Sequence, residues 1–167
     1  STLAEDGVTH VAMEASSHGL AQYRLDAVRL SSVAFTNLTQ DHLDYHETME
    51  DYRAAKLRLF ADLTTNGSKA VVNADSGERD TFETEAKARG LDLISVGWRG
   101  EDLKIEELMP RATGQRLFLN WRGEKAAVDL PLIGEFQALN ALTAAGLALG
   151  EGLSLHTVCD GLATLKP

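Results

Sequence analysis

The run SVAFTNLTQDHLDYHETMEDYRAAKLRLF, from Ser32 to Phe60, joins a short β-like segment, a polar turn dense in Asp and His, and a helical segment carrying one oddly placed lysine. A strand that ends in polar residues at a loop and is followed by a helix is the building unit of parallel α/β sheets. The carboxyl ends of such strands are where these sheets bind ligands.

The helix is read from spacing. Thr48 followed by Asp51 three residues on forms a capping box, so a helix is expected from about Met49. At roughly 100° per residue, Met49, Tyr52, Leu59 and Phe60 share one face, with Asp51, Ala54 and Arg58 opposite. Lys56 falls in the middle of the apolar face. Its stem can pack on the core while the ammonium reaches water, or the amine can be held in a dehydrated place with its pKa lowered because its chemistry is used there.

The turn before the helix holds Asp41, His42, Asp44, His46 and Glu47. Carboxylates favour Mg²⁺ and imidazoles widen the choice of metal. His42 and His46 are four apart, but the helix cap lies later, at Thr48, so a shared helical face is not expected. A metal loop and a solvated polar turn both fit this pattern.

Working outward, Ser1 to Gly7 reads as a helix tail stopped by Gly7, and Val8 to Ala12 as a short apolar strand with Glu14 just past its end. A carboxylate there either binds a ligand or caps the next helix. Ser16 to Gly19 form a turn leading to a brief helical segment with Gln22 and Arg24. Arg24 is a surface arginine or a grip for phosphate or carboxylate. Further strands are expected at Ser32 to Thr36, Lys69 to Asn73 and Leu91 to Val96, with a helix over Gly77 to Arg89 ended by Gly90. This alternation argues for a mostly parallel α/β sheet flanked by helices.

From Asp102 to Ile133 the pattern changes to short alternating runs, including Arg116 to Trp121 and Ala126 to Leu130 about an Arg122-Gly123 turn. That predicts a small antiparallel sheet appended to the main one, with Trp98 and Trp121 as packing residues. Gly134 then opens GEFQALNALTAA, a helix whose start could face an anion or could simply be capped. A last helix, Ser154 to Leu165, places Leu155, Val158, Leu162 and Leu165 on one apolar face.

Composition narrows the function. The 167 residues suit one domain, and 44% hydrophobic content supports a core. A formal charge of -9 and a pI near 5.0 argue against a nucleic-acid or anionic-membrane surface. The single Cys159 suggests a reducing compartment and a small core residue. Ala138 to Leu149 is too short to span a bilayer.

Three runs, MEASSHGLAQYR (Met13 to Arg24), FTNLTQDHLDYH (Phe35 to His46) and YRAAKLRLF (Tyr52 to Phe60), in this order and spacing, closely resemble the Mur ligases. The likeness covers essentially the whole chain and implies the family's central ATPase domain, a P-loop NTPase-like sheet spanning 1–167. It implies an ATP-dependent ligase of peptidoglycan precursor synthesis in the cytoplasm. Such an enzyme activates the terminal carboxylate of UDP-N-acetylmuramoyl-dipeptide as an acyl phosphate and joins it to a diamino acid, diaminopimelate ahead of lysine. It implies Mg²⁺ held by Glu14, His42 and a carbamylated Lys56, substrate contacts from Ser16, Gln22 and Arg24, and Asn140 near the nucleotide. Gln137 stands where the family usually has the first of two asparagines. A monomer is expected.

The glycine-rich phosphate loop of such ligases is not in this sequence, and the resemblance places it just upstream of Ser1. The chain alone is therefore expected to turn over no ATP. A folylpolyglutamate synthetase-type ligase and a metal-dependent hydrolase or binding module built on Asp41, His42 and His46 remain as alternatives.

Overall fold

A computed structural model describes residues 2–38 and 46–166. Its frame is one six-stranded sheet in the order β1-β2-β3-β4-β5-β6, formed by Leu30–Phe35, Thr64–Asn73, Asp92–Gly97, Leu103–Arg111, Gly114–Trp121 and Glu124–Leu130. The first three strands are parallel, β3 meets β4 in parallel, and β4 to β6 form an antiparallel meander. The antiparallel strands thus extend the same sheet through the Val96–Leu103 and Gly97–Lys104 pairs.

Among the described residues six helices accompany the sheet: α1 (Thr2–Glu5), α2 (Ser17–Ala21), α3 (Met49–Ala61), α4 (Arg79–Ala88), α5 (Glu135–Gly150) and α6 (Leu155–Ala163). Parallel strands covered on both faces read as continuous apolar runs, and Ala70 to Val72 are all buried. Ala70 and Val72 join Phe35, Phe60 and Phe82 under α3 and α4, whereas Val71 turns to Leu142, Ala145 and Leu149 of α5. The meander is covered on one face, so Leu117, Leu119, Val128 and Leu130 are buried in alternation and packed with Leu155, Val158 and Leu162 of α6.

Local signals produce several of these elements. Thr48 Oγ1 accepts from Asp51 N at 3.1 Å and starts α3 at Met49. Gly7 ends α1 at φ 78°, with Val8 N donating to Leu3 O at 3.0 Å. Arg122 and Gly123 both take positive φ, 49° and 97°, as a tight two-residue hairpin demands. Asn66 and Gly67 turn within β2: the register passes from Leu30–Thr64 to Ser32–Lys69, and Ser68 Oγ donates to Leu30 O at 3.0 Å to carry the chain across the irregularity.

Three expectations need correction, and one gains detail. Val8 to Ala12 is not a strand but irregular, exposed chain; an apolar run becomes a strand only with a ladder partner, and β1 pairs with β2 alone. The short helix after Glu14 is Ser17–Ala21, so Gln22 is its C-cap and Arg24 lies beyond it. The alternating run after Asp102 contains a full strand of its own, β4. Leu165 is 41% exposed because α6 stops at Ala163 before the apolar stripe can turn it inward. Among the described residues no helix is long and apolar enough to cross a membrane.

Candidate functional site

Lys56 sits on α3 as the helical spacing requires, half-buried, with its Nζ 5.4 Å from the centroid of the buried Tyr52 ring. The His46 ring stacks on Tyr52 at 5.0 Å and 17°. Burial pushes the Lys56 ammonium below its ordinary pKa, and the Glu14 carboxylate, near enough for its charge to be felt, draws it part of the way back. An amine whose cationic form is disfavoured spends more of its time neutral, the state in which nitrogen is a nucleophile.

The Glu14 to Arg24 segment is held against α3 by Arg58. Its guanidinium donates to Leu20 O, reaches Asp26 at 3.1 Å and Asp62 at 2.9 Å, and lies 4.1 Å from the Tyr23 ring centroid. Its place on the polar side of α3 was legible; its tie to residues three dozen positions earlier was not. Ser16 caps α2, its Oγ accepting from Gly19 N at 3.1 Å. Gln22 Nε2 lies 2.6 Å from His18 Nε2. Arg24 is exposed, its backbone N donating to Gly19 O at 3.0 Å. Ser16, Gln22 and Arg24 are thus gathered on one exposed turn around α2.

A cavity of about 120 Å³ opens at the carboxyl ends of β1 and β2, lined by Thr36, Asn37, Asn73, Asp75 and, from α5, Phe136 and Asn140. Asn140 was expected near a ligand; Asn37, Asn73 and Asp75 were not singled out, although polar residues at the ends of the apolar runs of β1 and β2 are the signal for them. Asn73, 7% exposed, donates from Nδ2 to Thr36 O at 2.9 Å and accepts from Asp75 N at 3.0 Å. The Asp75 carboxylate accepts from Trp98 N at 2.7 Å and Arg99 N at 3.2 Å. Trp98 Nε1 donates to Glu135 Oε1 at 2.7 Å, tying the end of β3 to the start of α5. Gln137 is exposed, its backbone N donating to Gly134 O at 3.1 Å.

Asp41, His42 and Asp44 lie outside the described residues. Among the described residues no group of three or more His, Cys, Asp or Glu side chains is gathered closely enough to hold a metal ion.

A family model described as the Mur ligase middle domain matches residues 1–148. The UDP-N-acetylmuramoyl-L-alanyl-D-glutamate–2,6-diaminopimelate ligase of Caulobacter vibrioides is 49% identical over 164 residues, covering 98% of this chain and 34% of that protein. Its counterpart of the same name in Bradyrhizobium diazoefficiens is 48% identical over 168 residues, covering 98% of this chain and 35% of that protein. A solved structure of a ligase with this name superposes with a TM-score of 0.89 at 31% identity, over 98% of this chain and 34% of its own. The chain therefore spans about a third of the length of the curated relatives it matches. The matched family model covers most of the chain, and the chain belongs to the Mur ligase middle-domain family.

Proposed function

We propose that this chain is the central part, residues 1–167 with 102–133 as an antiparallel subregion, of an ATP-dependent ligase. The enzyme adds diaminopimelate to UDP-N-acetylmuramoyl-L-alanyl-D-glutamate in peptidoglycan precursor synthesis, acting as a monomer in the cytoplasm. The similarity to ligases of that name supports the reaction. The observation that carries the site is Lys56: a half-buried amine over Tyr52, its ammonium form disfavoured, within reach of the charge of Glu14.

The reaction has two displacements. A substrate carboxylate oxygen attacks the γ-phosphorus of ATP and ADP leaves, giving an acyl phosphate. The amine of the diamino acid then attacks the acyl carbon, phosphate leaves, a proton is lost, and an amide remains. In our reading Arg24, with Ser16 and Gln22 beside it, takes the anionic muramoyl peptide through the planar fork of its guanidinium. The amides of Asn140, Asn73 and Asn37 line the place for the nucleotide, with Asn140 making the contact.

The neutral Lys56 amine adds to CO₂, forming an N–C bond and releasing a proton, so a cation becomes an anionic carbamate. The carbamate of Lys56 and the carboxylate of Glu14 together are hard oxygen donors that suit Mg²⁺, with His42 as a further ligand. Bound there, Mg²⁺ supplies neutralisation of charge on the transferring phosphoryl group.

Two experiments test this. Incubation with ¹³C-bicarbonate should give a carbamate carbon resonance that Lys56→Arg lacks; no such signal in the unsubstituted protein overturns the role of Lys56. The full-length protein containing this segment should convert ATP, UDP-N-acetylmuramoyl-L-alanyl-D-glutamate and diaminopimelate to the tripeptide, ADP and phosphate. Failure with diaminopimelate but turnover with lysine would move the assignment to a lysine-adding ligase.

A further inference from the structure

The chain carries a formal net charge of -9, and most of its arginines are committed to carboxylates. A cleft of about 320 Å³ opens beside the β4–β5 turn, lined by Arg111, Thr113, Gly114, Arg116, Asp129 and Pro131. Arg53, Arg58, Arg79, Arg89, Arg99 and Arg122 each meet a carboxylate at 2.6 to 3.3 Å. The two arginines of the cleft do not. The Arg111 side chain makes no ion pair or hydrogen bond among the described residues, its backbone alone pairing with Gly114.

Arg116 stands directly across the strand pair from Asp129, yet its Nε is 3.8 Å from Asp129 Oδ1, too far for a hydrogen bond. That Nε is buried and makes no hydrogen bond, while the side chain as a whole is 38% exposed, so its exposure lies in the other atoms. A buried N–H without an acceptor is a standing cost to the folded chain. The Arg116–Asp129 pair is therefore a loose one that a better acceptor can displace.

Register places both guanidinium-bearing residues on one sheet face: Arg116 pairs with Met109, and Arg111 lies two residues further along β4. The inner side of the cleft is firm. A Cβ on Gly114 would lie 2.3 Å from Leu130 O, and Gln115, 3% exposed, donates from Nε2 to Gly134 O at 2.9 Å. Two under-used planar forks on a rigid hairpin, in a chain of net charge -9, are a recognition device for a planar or tetrahedral oxyanion.

We propose that this cleft binds a small oxyanion, a phosphate or carboxylate group, gripped between Arg111 and Arg116 with Asp129 displaced from Arg116 as it enters. The test is titration of the ¹⁵N-labelled chain with inorganic phosphate and, separately, with succinate at constant ionic strength. Amide shifts of Thr113 and Gly114 and the Arg Nε–H signals are followed. Saturable shifts at these positions are expected, and the tighter of the two anions identifies the source. Arg111→Gln and Arg116→Gln should each weaken binding by roughly tenfold, whereas Asp129→Asn should tighten it by freeing Arg116. Thermal unfolding of each variant confirms that it is folded. Absence of saturable shifts with both anions, shifts indifferent to either arginine, or weaker binding in Asp129→Asn overturns the proposal. None of these outcomes touches Lys56, so the ligase reading stands or falls separately.

Discussion

Asp75 N donates to Asn73 Oδ1 at 3.0 Å, and the same Asn73 side chain reaches across the sheet to donate to Thr36 O at 2.9 Å. One buried amide therefore joins the ends of β1 and β2 and shapes the turn that lets Asp75 receive the backbone of Trp98. Asn73→Ala leaves the Thr36 carbonyl and the Asp75 N–H without these partners. A loss of about 1–3 kcal/mol is expected in urea unfolding, with faster amide exchange at Asp75. Unchanged stability would show that water replaces the amide at no cost.

Arg58→Met tests what holds the turn around α2 in place. It removes the bonds to Leu20 O, Asp26 and Asp62 while keeping an apolar stem. Faster hydrogen exchange and proteolysis within Ser16 to Asp26 are expected, at a stability cost of about 1–3 kcal/mol. If exchange rises no more there than elsewhere, Arg58 is not the anchor.

Gly146 lies inside α5, where alanine ordinarily stabilises by about 1 kcal/mol. Here a Cβ would stand 2.8 Å from Val71 Cγ1 and 2.9 Å from Val96 Cγ1. Those valines belong to neighbouring strands and cannot withdraw cheaply, so overpacking of about 1–3 kcal/mol should win. Gly146→Ala is expected to lower the unfolding midpoint; a rise would mean that α5 shifts outward freely.

Glu78 accepts from Arg53 Nε at 2.6 Å and Nη2 at 2.8 Å. The hydrogen bond and charge of Arg53 hold the Glu78 carboxyl below its ordinary 4.5. Between that lowered value and 4.5 the unfolded chain binds more protons than the folded one, so stability rises with pH there. The contribution is complete above 4.5 and is lost as pH falls through the folded value. Arg53→Gln should lower stability at neutral pH and flatten this acid limb. An unaltered profile would assign the acid limb to other carboxylates.

Burial, with the charges of Asp160 and Glu124, pushes the Cys159 thiol above its ordinary pKa, and the residue is only 7% exposed. Thiolate is the reactive form, so a disulfide reagent at pH 8 should modify the native chain slowly and the urea-unfolded chain at once. Rapid native reaction would mean that α6 opens readily.

Much of the architecture was legible because its causes are local. Thr48 and Asp51 announce α3, the spacing from Met49 to Phe60 puts Lys56 over the core side, and Arg122-Gly123 can only be a tight turn. Val8 to Ala12 misled because apolar content says nothing of whether a partner strand lies alongside. The separate strand β4 was hidden because its alternation of buried and exposed residues breaks after Ile105, where its register with β5 shifts. The cavity was half legible: Asn140 sits in a recognisable helix start, but the meaning of Asn73 depends on Thr36, and that of Asp75 on Trp98, residues distant in sequence.

The change from parallel to antiparallel pairing within one sheet also sets the order in which the chain assembles. The meander β4–β5–β6 closes through tight turns, at Arg111–Gly114 and Trp121–Glu124, so its ladders form with little loss of loop entropy. The ladders β1–β2 and β2–β3 must each enclose a whole helix before any bond rewards the closure. Contacts near in sequence form faster than distant ones, so the meander is the early half and the parallel half the late one. The cavity draws its walls from β1, β2 and α5, the half of the sheet whose ladders need the longer closures.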